Sequence, residues 1–483
     1  MKKYIFLLNI ILLSGCTVGP DFQQLAAPTV KSYTAQGFPG KTVSTGYAFG
    51  EQQVFDSFVP VPKDWWRALG SPKLDSLIDR SFLSNPSLQS AQSTLKQSHE
   101  IHSARAGSTL YPQLNATLTG QRVQLNGATQ GLAISPDIFN LYNTTLGVSY
   151  NFDVFGGNRR VLESLASRTI YQNFQLEGAQ LTLAANIVTT AVTQAKLASQ
   201  IRANEESLTA QEEQLVVARH RLRLGQASED DVLALTAEAE QTRAGIPVLE
   251  TRHKQMTHLL ATLSGEAPSA VLTPSFEMGD FSIPTNLPLV VPSLLVRNRP
   301  DIQAAEALMR AANADYGAAV ARMYPQLNLS SSIGSLALGP ETLFGTGSLF
   351  WQVLGQLTQP IFNAGLPAES RAALAAFDAS ASNYQTVVLD ALRSVADVLR
   401  ALENDARILE SQSKANAAAT ALAKSVERQY SFGTASYLQL LIAQLQAQRT
   451  KFELIAAQAQ RLTDTVALFQ SMGGGRLNNG SIE

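Results

Sequence analysis

The sequence predicts a mainly α-helical chain with a membrane β-barrel portion, built from a strand–strand–long-helix-hairpin module used twice. Three observations carry that prediction. The first is an internal repeat. Residues 83–91 (LSNPSLQSA) return as 297–305 (RNRPDIQAA), Tyr111-Pro112-Gln113-Leu114-Asn115 returns as Tyr324-Pro325-Gln326-Leu327-Asn328, and Leu224-Gly225-Gln226-Ala227-Ser228 returns as Phe432-Gly433-Thr434-Ala435-Ser436. The landmarks keep their order at an offset of about 210 residues, far longer than a short-repeat solenoid period. The second is alternation of apolar and polar residues over strand-length stretches, and the third is the absence of proline from Gly157 until Pro247. A duplicated chain suits pseudosymmetric assembly, and a tube better than a cleft.

Within the first module, Asn85-Pro86 is a helix start, with Asn as cap and Pro in the first turn. The helix stops at Tyr111-Pro112. Leu114, Ala116 and Leu118 then alternate with Asn115, Thr117 and Thr119. A Gly/Asn/Pro-rich loop leads to the clearest strand. Tyr142, Leu146, Val148, Tyr150, Phe152 and Val154 share one face, with Thr144 the exception. Asn143, Thr145, Gly147, Ser149, Asn151 and Asp153 share the other. An apolar face opposite a polar one, over about ten residues or more, fits lipid outside and water inside a tilted barrel strand; alternation alone also fits a soluble two-layer sheet. From about Asn158 to Arg223 a helical pattern makes a rod about 100 Å long. It turns at Gly225 and returns to about Ser264. The second module repeats this order: strands near Leu327–Ser335 and Leu349–Gln359, a helix near Pro367–Ser431, a turn at Gly433, and a return helix to Met472. Four such strands cannot close a barrel, and open edges are not viable in lipid. Several chains must pool their strands; two would give eight and three twelve.

The domain reading is a signal peptide (1–15), a lipidated N-terminal segment and collar (16–82), a first module (83–265), a linker (266–296), a second module (297–472) and a C-terminal tail (473–483). Lys2 and Lys3 precede an apolar run too short to span a bilayer. Leu13-Ser14-Gly15-Cys16 resembles a bacterial lipobox, which would make Cys16 a lipidated mature N-terminus. Cys16 is the single cysteine, so no intrachain disulfide is possible. Thr17 stands where an aspartate would signal inner-membrane retention, so the outer membrane is expected. One lipid anchor binds only marginally, so a second membrane element is expected too.

Both turns read as capped helix hairpins. Gly225 and Gly433 suit the left-handed C′ position. Ser228 with Asp231, and Ser436 with Gln439, suit capping boxes. Arg219, Arg221 and Arg223 sit where cations meet the helix dipole. Capping does not account for Tyr430, Phe432 and Tyr437 around an exposed loop, and exposed aromatics suggest a partner surface.

At 16% charged residues and a net charge of −2 there is no basic stripe for nucleic acid. No run of 18 apolar residues reads as a transmembrane helix. His99 and His102, and His253 and His258, lack the Cys or acidic company of a metal site. Gly473-Gly474-Gly475 lacks the Lys-Ser/Thr of a phosphate loop. No Ser-His-Asp or paired-carboxylate constellation supports an enzyme, and no cofactor beyond the lipid on Cys16 is expected.

Taken together, the lipobox, Val18-Gly19-Pro20-Asp21-Phe22, Asp64-Trp65-Trp66, both Pro-start helices, both Tyr-Pro-Gln-Leu-Asn segments and both tips resemble the TolC-like outer membrane factors, in the NodT-type lipoprotein branch. The resemblance covers nearly the whole chain. It implies a homotrimer with a twelve-stranded β-barrel and a twelve-helix α-barrel, and a collar from residues near 25–70, 266–292 and the tail. It implies a passive conduit in the Gram-negative outer membrane. A periplasmic adaptor would dock at Leu224, Gly225, Gln226, Ala227 and Ser228 and at Phe432, Gly433, Thr434, Ala435, Ser436 and Tyr437. An inner-membrane pump of the resistance–nodulation–division class would supply energy. Asp231 and Tyr430 match positions of the family's interhelix links. Ala435 and Ile442 stand where the family often has an arginine and an acid, so Leu441 and Ile442 are candidates for an apolar constriction instead. The alternative is a lipid-anchored coiled coil or adhesin without a pore.

Overall fold

The computed structural model describes residues 17–26, 30, 32–35, 37–57, 59–125, 137–269 and 273–474. Cys16 and the signal segment 1–15 lie outside the described residues, as do 475–483 of the tail. Among the described residues the order is β1 (Val54–Asp56), α1 (Pro72–Ser84), α2 (Pro86–Leu110), β2 (Gln113–Leu125), β3 (Asp137–Phe152), α3 (Gly157–Arg223), α4 (Glu229–Leu263), β4 (Asn286–Pro288), α5 (Pro292–Asn298), α6 (Pro300–Ala321), β5 (Gln326–Ala337), β6 (Leu349–Thr358), α7 (Gly365–Ser431) and α8 (Tyr437–Ser471). The duplication extends to length: α3 and α7 have 67 residues each, and α4 and α8 have 35 each.

Two compact units divide the chain. The first holds residues 17–25, Thr94–Asn173 and Ala304–Gln385, including all four long strands. They form one antiparallel sheet in the order β2-β3-β5-β6, leaving β2 and β6 as its edges. The strands run 10 to 16 residues, enough for a tilted membrane strand.

The second unit holds the helix tips and a folded core. Trp65 is buried and stacks on Phe469 at 5.5 Å. Strand β1 pairs in parallel with β4. Asn85 caps α2 as its sequence position suggests. Its Oδ1 accepts from the Ser87 and Leu88 amides at 2.9 and 3.1 Å, while its Nδ2 donates to the Leu263 carbonyl.

One assignment changes. Asp153 and Val154 lie beyond the end of β3. The Asp153 carboxylate instead accepts from the Asn158 and Arg159 amides, at 2.9 and 2.8 Å. It caps the first turn of α3, where an acid meets the positive end of the dipole.

Candidate functional site

The sheet register sorts the strand residues into two faces. Leu114 pairs with Val148, Val148 with Ser331, and Ser331 with Val353; one step along, Ala116, Leu146, Ile333 and Trp351 align. Phe152, Leu327 and Leu357 extend the same face. Opposite it run Asn115, Gly147, Ser332 and Gln352, then Asn151, Asn328 and Gln356. The apolar side chains are exposed, Trp351 at 73% and Leu357 at 68%. A large outward apolar face beside a Ser/Asn/Gln face is what a barrel wall between lipid and water requires. The register also assigns the faces of β6, where the alternation is broken: Phe350 and Leu354 fall on its polar face, opposite Gly334 and Ser330. No helix among the described residues is long and apolar enough to cross a membrane.

The segment Val18-Gly19-Pro20-Asp21-Phe22 is docked on the first unit. The Val18 amide donates to the Phe155 carbonyl at 3.1 Å. Gly19, at φ 98°, passes so close to α6 that a Cβ there would lie 2.7 Å from the Gly317 Cα. Asn313 donates to the Pro20 carbonyl, Arg160 to Asp21 Oδ1 at 2.7 Å, and the Arg310 guanidinium covers the Phe22 ring. Contacts at 317, 313 and 310 follow one face of a helix.

Both tips close with the same hydrogen bonds. Gln226 donates to the Arg221 carbonyl and Gly225 to Leu222; Thr434 donates to Gln429 and Gly433 to Tyr430. This is the Schellman pattern, with glycine at φ 73° and 75° in the left-handed position. Ser228 with Asp231 and Ser436 with Gln439 form capping boxes. At these turns Leu224, Gly225, Gln226, Ser228, Phe432, Gly433, Thr434 and Ser436 are exposed, while Ala227 and Ala435 are half-buried.

Three expectations change at the tips. Tyr437 is not an exposed aromatic: it is buried with Ala218 and Leu235, beside Leu215, Val232, Tyr430 and Leu441. Leu441 therefore belongs to this cluster, whereas Ile442 is 59% exposed, flanked one helical turn either side by exposed Leu438 and Leu445. Within one chain Asp231 and Tyr430, which match the family's interhelix-link positions, meet other partners. Asp231 is engaged by Ser228, and Tyr430 lies under the Arg221 guanidinium at 5.3 Å. The link across helices runs from Tyr437, whose hydroxyl donates to Glu238 Oε2 at 3.3 Å, while Gln211 donates to Oε1 at 3.1 Å. Glu238 thus joins α3, α4 and α8. Burial raises its pKa, against the lowering effect of the Tyr437 and Gln211 hydrogen bonds.

Arg221 donates to the Ser431 carbonyl at 2.9 Å and to that of Tyr430 at 3.4 Å. It satisfies the C-terminal carbonyls of α7, the other module's helix, rather than serving only its own dipole. Among the described residues no three His, Cys, Asp or Glu side chains group as a metal site.

The outer membrane efflux protein family model matches residues 77–266 and 291–474. The chain belongs to the outer membrane efflux protein family. Among the relatives of this efflux protein, the toluene efflux pump outer membrane protein TtgC of Pseudomonas putida is 29% identical over 471 residues, 96% of this chain and 93% of the relative. The pyoverdine export outer membrane protein OpmQ of Pseudomonas aeruginosa is 28% identical over 486 residues, 98% and 97% of the two chains. The outer-membrane channel OprN superposes with a TM-score of 0.84 at 25% identity, covering 95% of this chain and 99% of its own. This efflux protein is an outer-membrane export channel of the tripartite kind, not a pore-free adhesin.

Proposed function

We propose that three copies of this chain close a twelve-stranded barrel across the outer membrane and extend it as a twelve-helix tunnel, giving a passive path from periplasm to exterior. The observation that carries this reading is the sheet. Its apolar rows run across all four strands and end at β2 and β6, whose outer edges have no strand partner among the described residues. Such edges must be paired in lipid, and three sheets of four give the barrel that the family resemblance implies. No catalytic step is assigned to the chain. A periplasmic adaptor docks at Leu224–Ser228 and Phe432–Tyr437, and an inner-membrane pump of the resistance–nodulation–division class drives transport. Two of the relatives are named for cargoes as unlike as toluene and pyoverdine, which suits a conduit whose selectivity lies in the pump.

Cys16 carries a diacylglyceryl and palmitoyl anchor, secondary to the barrel. At the periplasmic end, Ile442 with Leu438 and Leu445 supplies an apolar constriction, and the Tyr437–Glu238–Gln211 contact holds the tips closed.

Placing Arg on each sheet face tests the barrel. Val148→Arg puts a charge toward lipid and costs about 2–4 kcal/mol near mid-membrane, read as loss of heat-resistant trimers from the outer membrane. Ser149→Arg assembles normally and lowers conductance. Equal effects at the two positions would count against the barrel. For the anchor, Cys16→Ser behind a cleavable signal still fractionates with the outer membrane; a soluble periplasmic product would refute that part of the reading.

A further inference from the structure

The segment that follows the cysteine is seated across the junction between the two modules. Thr17 packs on Gly156, where a Cβ would lie 2.9 Å from the Thr17 Cγ2, and the Val18 amide donates to the Phe155 carbonyl at 3.1 Å. Gly19 then crosses Gly317. The Pro20 carbonyl meets Asn313, Asp21 meets Arg160, and the Phe22 ring meets Arg310. Gln24 donates to Glu306 Oε2 at 3.1 Å, while Arg310 donates to Glu306 Oε1 at 2.8 Å. Phe155, Gly156 and Arg160 belong to the first module, just past the end of β3. Glu306, Arg310, Asn313 and Gly317 share one face of α6 in the second, the helix that precedes β5. Strands β3 and β5 are the pair through which the two modules join their sheets.

The receiving site is built for this segment. Arg160 is 5% exposed. Its Nη2 donates to the Gly19 carbonyl at 3.2 Å and to Asp21 Oδ1 at 2.7 Å, and its Nη1 to Glu163 at 2.8 Å. Two of those three acceptors come from the segment. Stripping partners from a buried guanidinium is strongly destabilising, so the site is incomplete without it. Gly317 is crowded from both sides, by the Gly19 backbone and by the Arg160 stem, which lies 3.1 Å from where a Cβ would stand. The other long helix carries no copy of this arginine. Counted from Gly157 and Gly365, which open α3 and α7, the place of Arg160 is taken by Ala368.

We propose that residues 17–24 form a strap that staples the first module to the second beneath β3 and β5, and that seating this strap, rather than the lipid on the preceding cysteine, makes the four-stranded sheet competent to join its copies. The pooled barrel proposed above is its premise. Seated, the strap supplies the anion and the carbonyl that Arg160 needs and ties α3 to α6 through it. Unseated, it leaves a buried cation short of partners at the junction of the two central strands, and the sheet loses the fixed foot from which its edges are presented.

Two readouts on the full-length protein test this: chymotrypsin cleavage after Phe22, located by mass, and the yield of heat-resistant trimers. Gly19→Val lies in the strap itself, so it leaves the helices intact. Its β-carbon would fall 2.7 Å from the Gly317 Cα at a backbone φ of 98°. Cleavage after Phe22 should accelerate by about tenfold or more, the mark of a locally opened segment, and trimer yield should fall, with the N-terminal peptide still lipidated. Arg160→Met, which keeps the stem and loses the charge, should do the same from the receiving side. Cys16→Ser behind a cleavable signal should keep Phe22 protected and trimers at the wild-type level. Trimers at full yield in a variant whose Phe22 is freely cut would overturn the strap. So would protection of Phe22 in both Gly19→Val and Arg160→Met, or loss of trimers in Cys16→Ser while Phe22 stays protected. Absence of trimers from the wild type would instead refute the pooled barrel.

Discussion

At Gly225 and at Gly433 the chain makes the same turn twice, with φ of 73° and 75°, the same two backbone hydrogen bonds and a Ser cap three residues on. The side chains around the two turns differ in balance. Beside the exposed Leu224 the first carries Arg219, His220, Arg221, Arg223, Glu229 and Asp230; beside Glu427 and Arg428 the second carries Tyr430, Phe432 and Leu438. Backbone requirements are met by a few residue types at set offsets, so both copies keep them. The remaining positions are free to diverge, and here one copy has become a donor to the other: Arg221 of the first tip caps the α7 carbonyls of the second. The tips are therefore unequal surfaces on equal scaffolds, the first richer in charge and the second in aromatic and apolar side chains.

The largest expected effect comes from the second turn. Gly433→Glu places a β-carbon in a left-handed conformation, a strain of about 1–2 kcal/mol, and sets a charge on the proposed docking surface. Export in an efflux-deficient host should be abolished while trimers still form. Gly225→Glu carries the same strain on an already charged tip, so it should retain part of the activity. Equal loss at both would show that the adaptor reads the shared backbone rather than the side chains.

Next in size is the donor between tips. Arg221→Met keeps the stem but loses two charge-assisted bonds. For partly exposed partners this amounts to about 1–2 kcal/mol, visible as a lower thermal midpoint and wider tip fluctuations in exchange experiments. Arg223→Met, whose guanidinium bonds His220 of its own tip, should change little. The reverse ranking would place the coupling between tips elsewhere.

A smaller effect is expected at the buried hydroxyl. Tyr437→Phe removes the bond to Glu238, about 0.5–1.5 kcal/mol, and should raise single-channel conductance in planar bilayers without adaptor. Tyr430→Phe should not, because its contacts to Arg221 run through the ring and carbonyl, which Phe keeps. Conductance unchanged in both would leave Ile442 as the better closure.

The smallest effect is in pH. Burial raises the Glu238 carboxyl above its ordinary value, so the folded state holds its proton longer than the unfolded state. Its contribution is present below the ordinary carboxylate value and declines as pH climbs through the raised one. Glu238→Gln should flatten that part of a stability-against-pH curve; an identical curve would show that Glu238 does not titrate on its own in this range.

Much of the architecture was legible before the structure. The repeat spacing placed both hairpins, Asn85-Pro86 and Tyr111-Pro112 bracketed α2, and Ser228 and Ser436 marked helix starts, because caps and breakers act over three or four residues. The apolar face of β3 was legible because its alternation is unbroken from Leu146 to Phe152. Strand β6 was not, since Phe350 and Leu354 interrupt the alternation and only pairing to β5 assigns their face. Asp153 was misplaced for a similar reason: a period of two continues past the strand end, while the carboxylate's partners at 158 and 159 belong to the next helix.

Local chemistry determined the turns, the helix lengths, the order of elements and the alternation that makes a membrane wall, all of which depend on neighbours within a few residues. Tertiary structure decided which side chains meet across helices. Tyr437 and Glu238 stand 199 residues apart, and Asp21 and Arg160 stand 139 apart. Helical phase shows which face a residue occupies, but the partner on that face depends on how distant helices pack. That is why Tyr437 reads as an exposed tip aromatic in the sequence and is a buried anchor in the fold, and why Arg160, unremarked in the sequence, holds the segment that follows the cysteine.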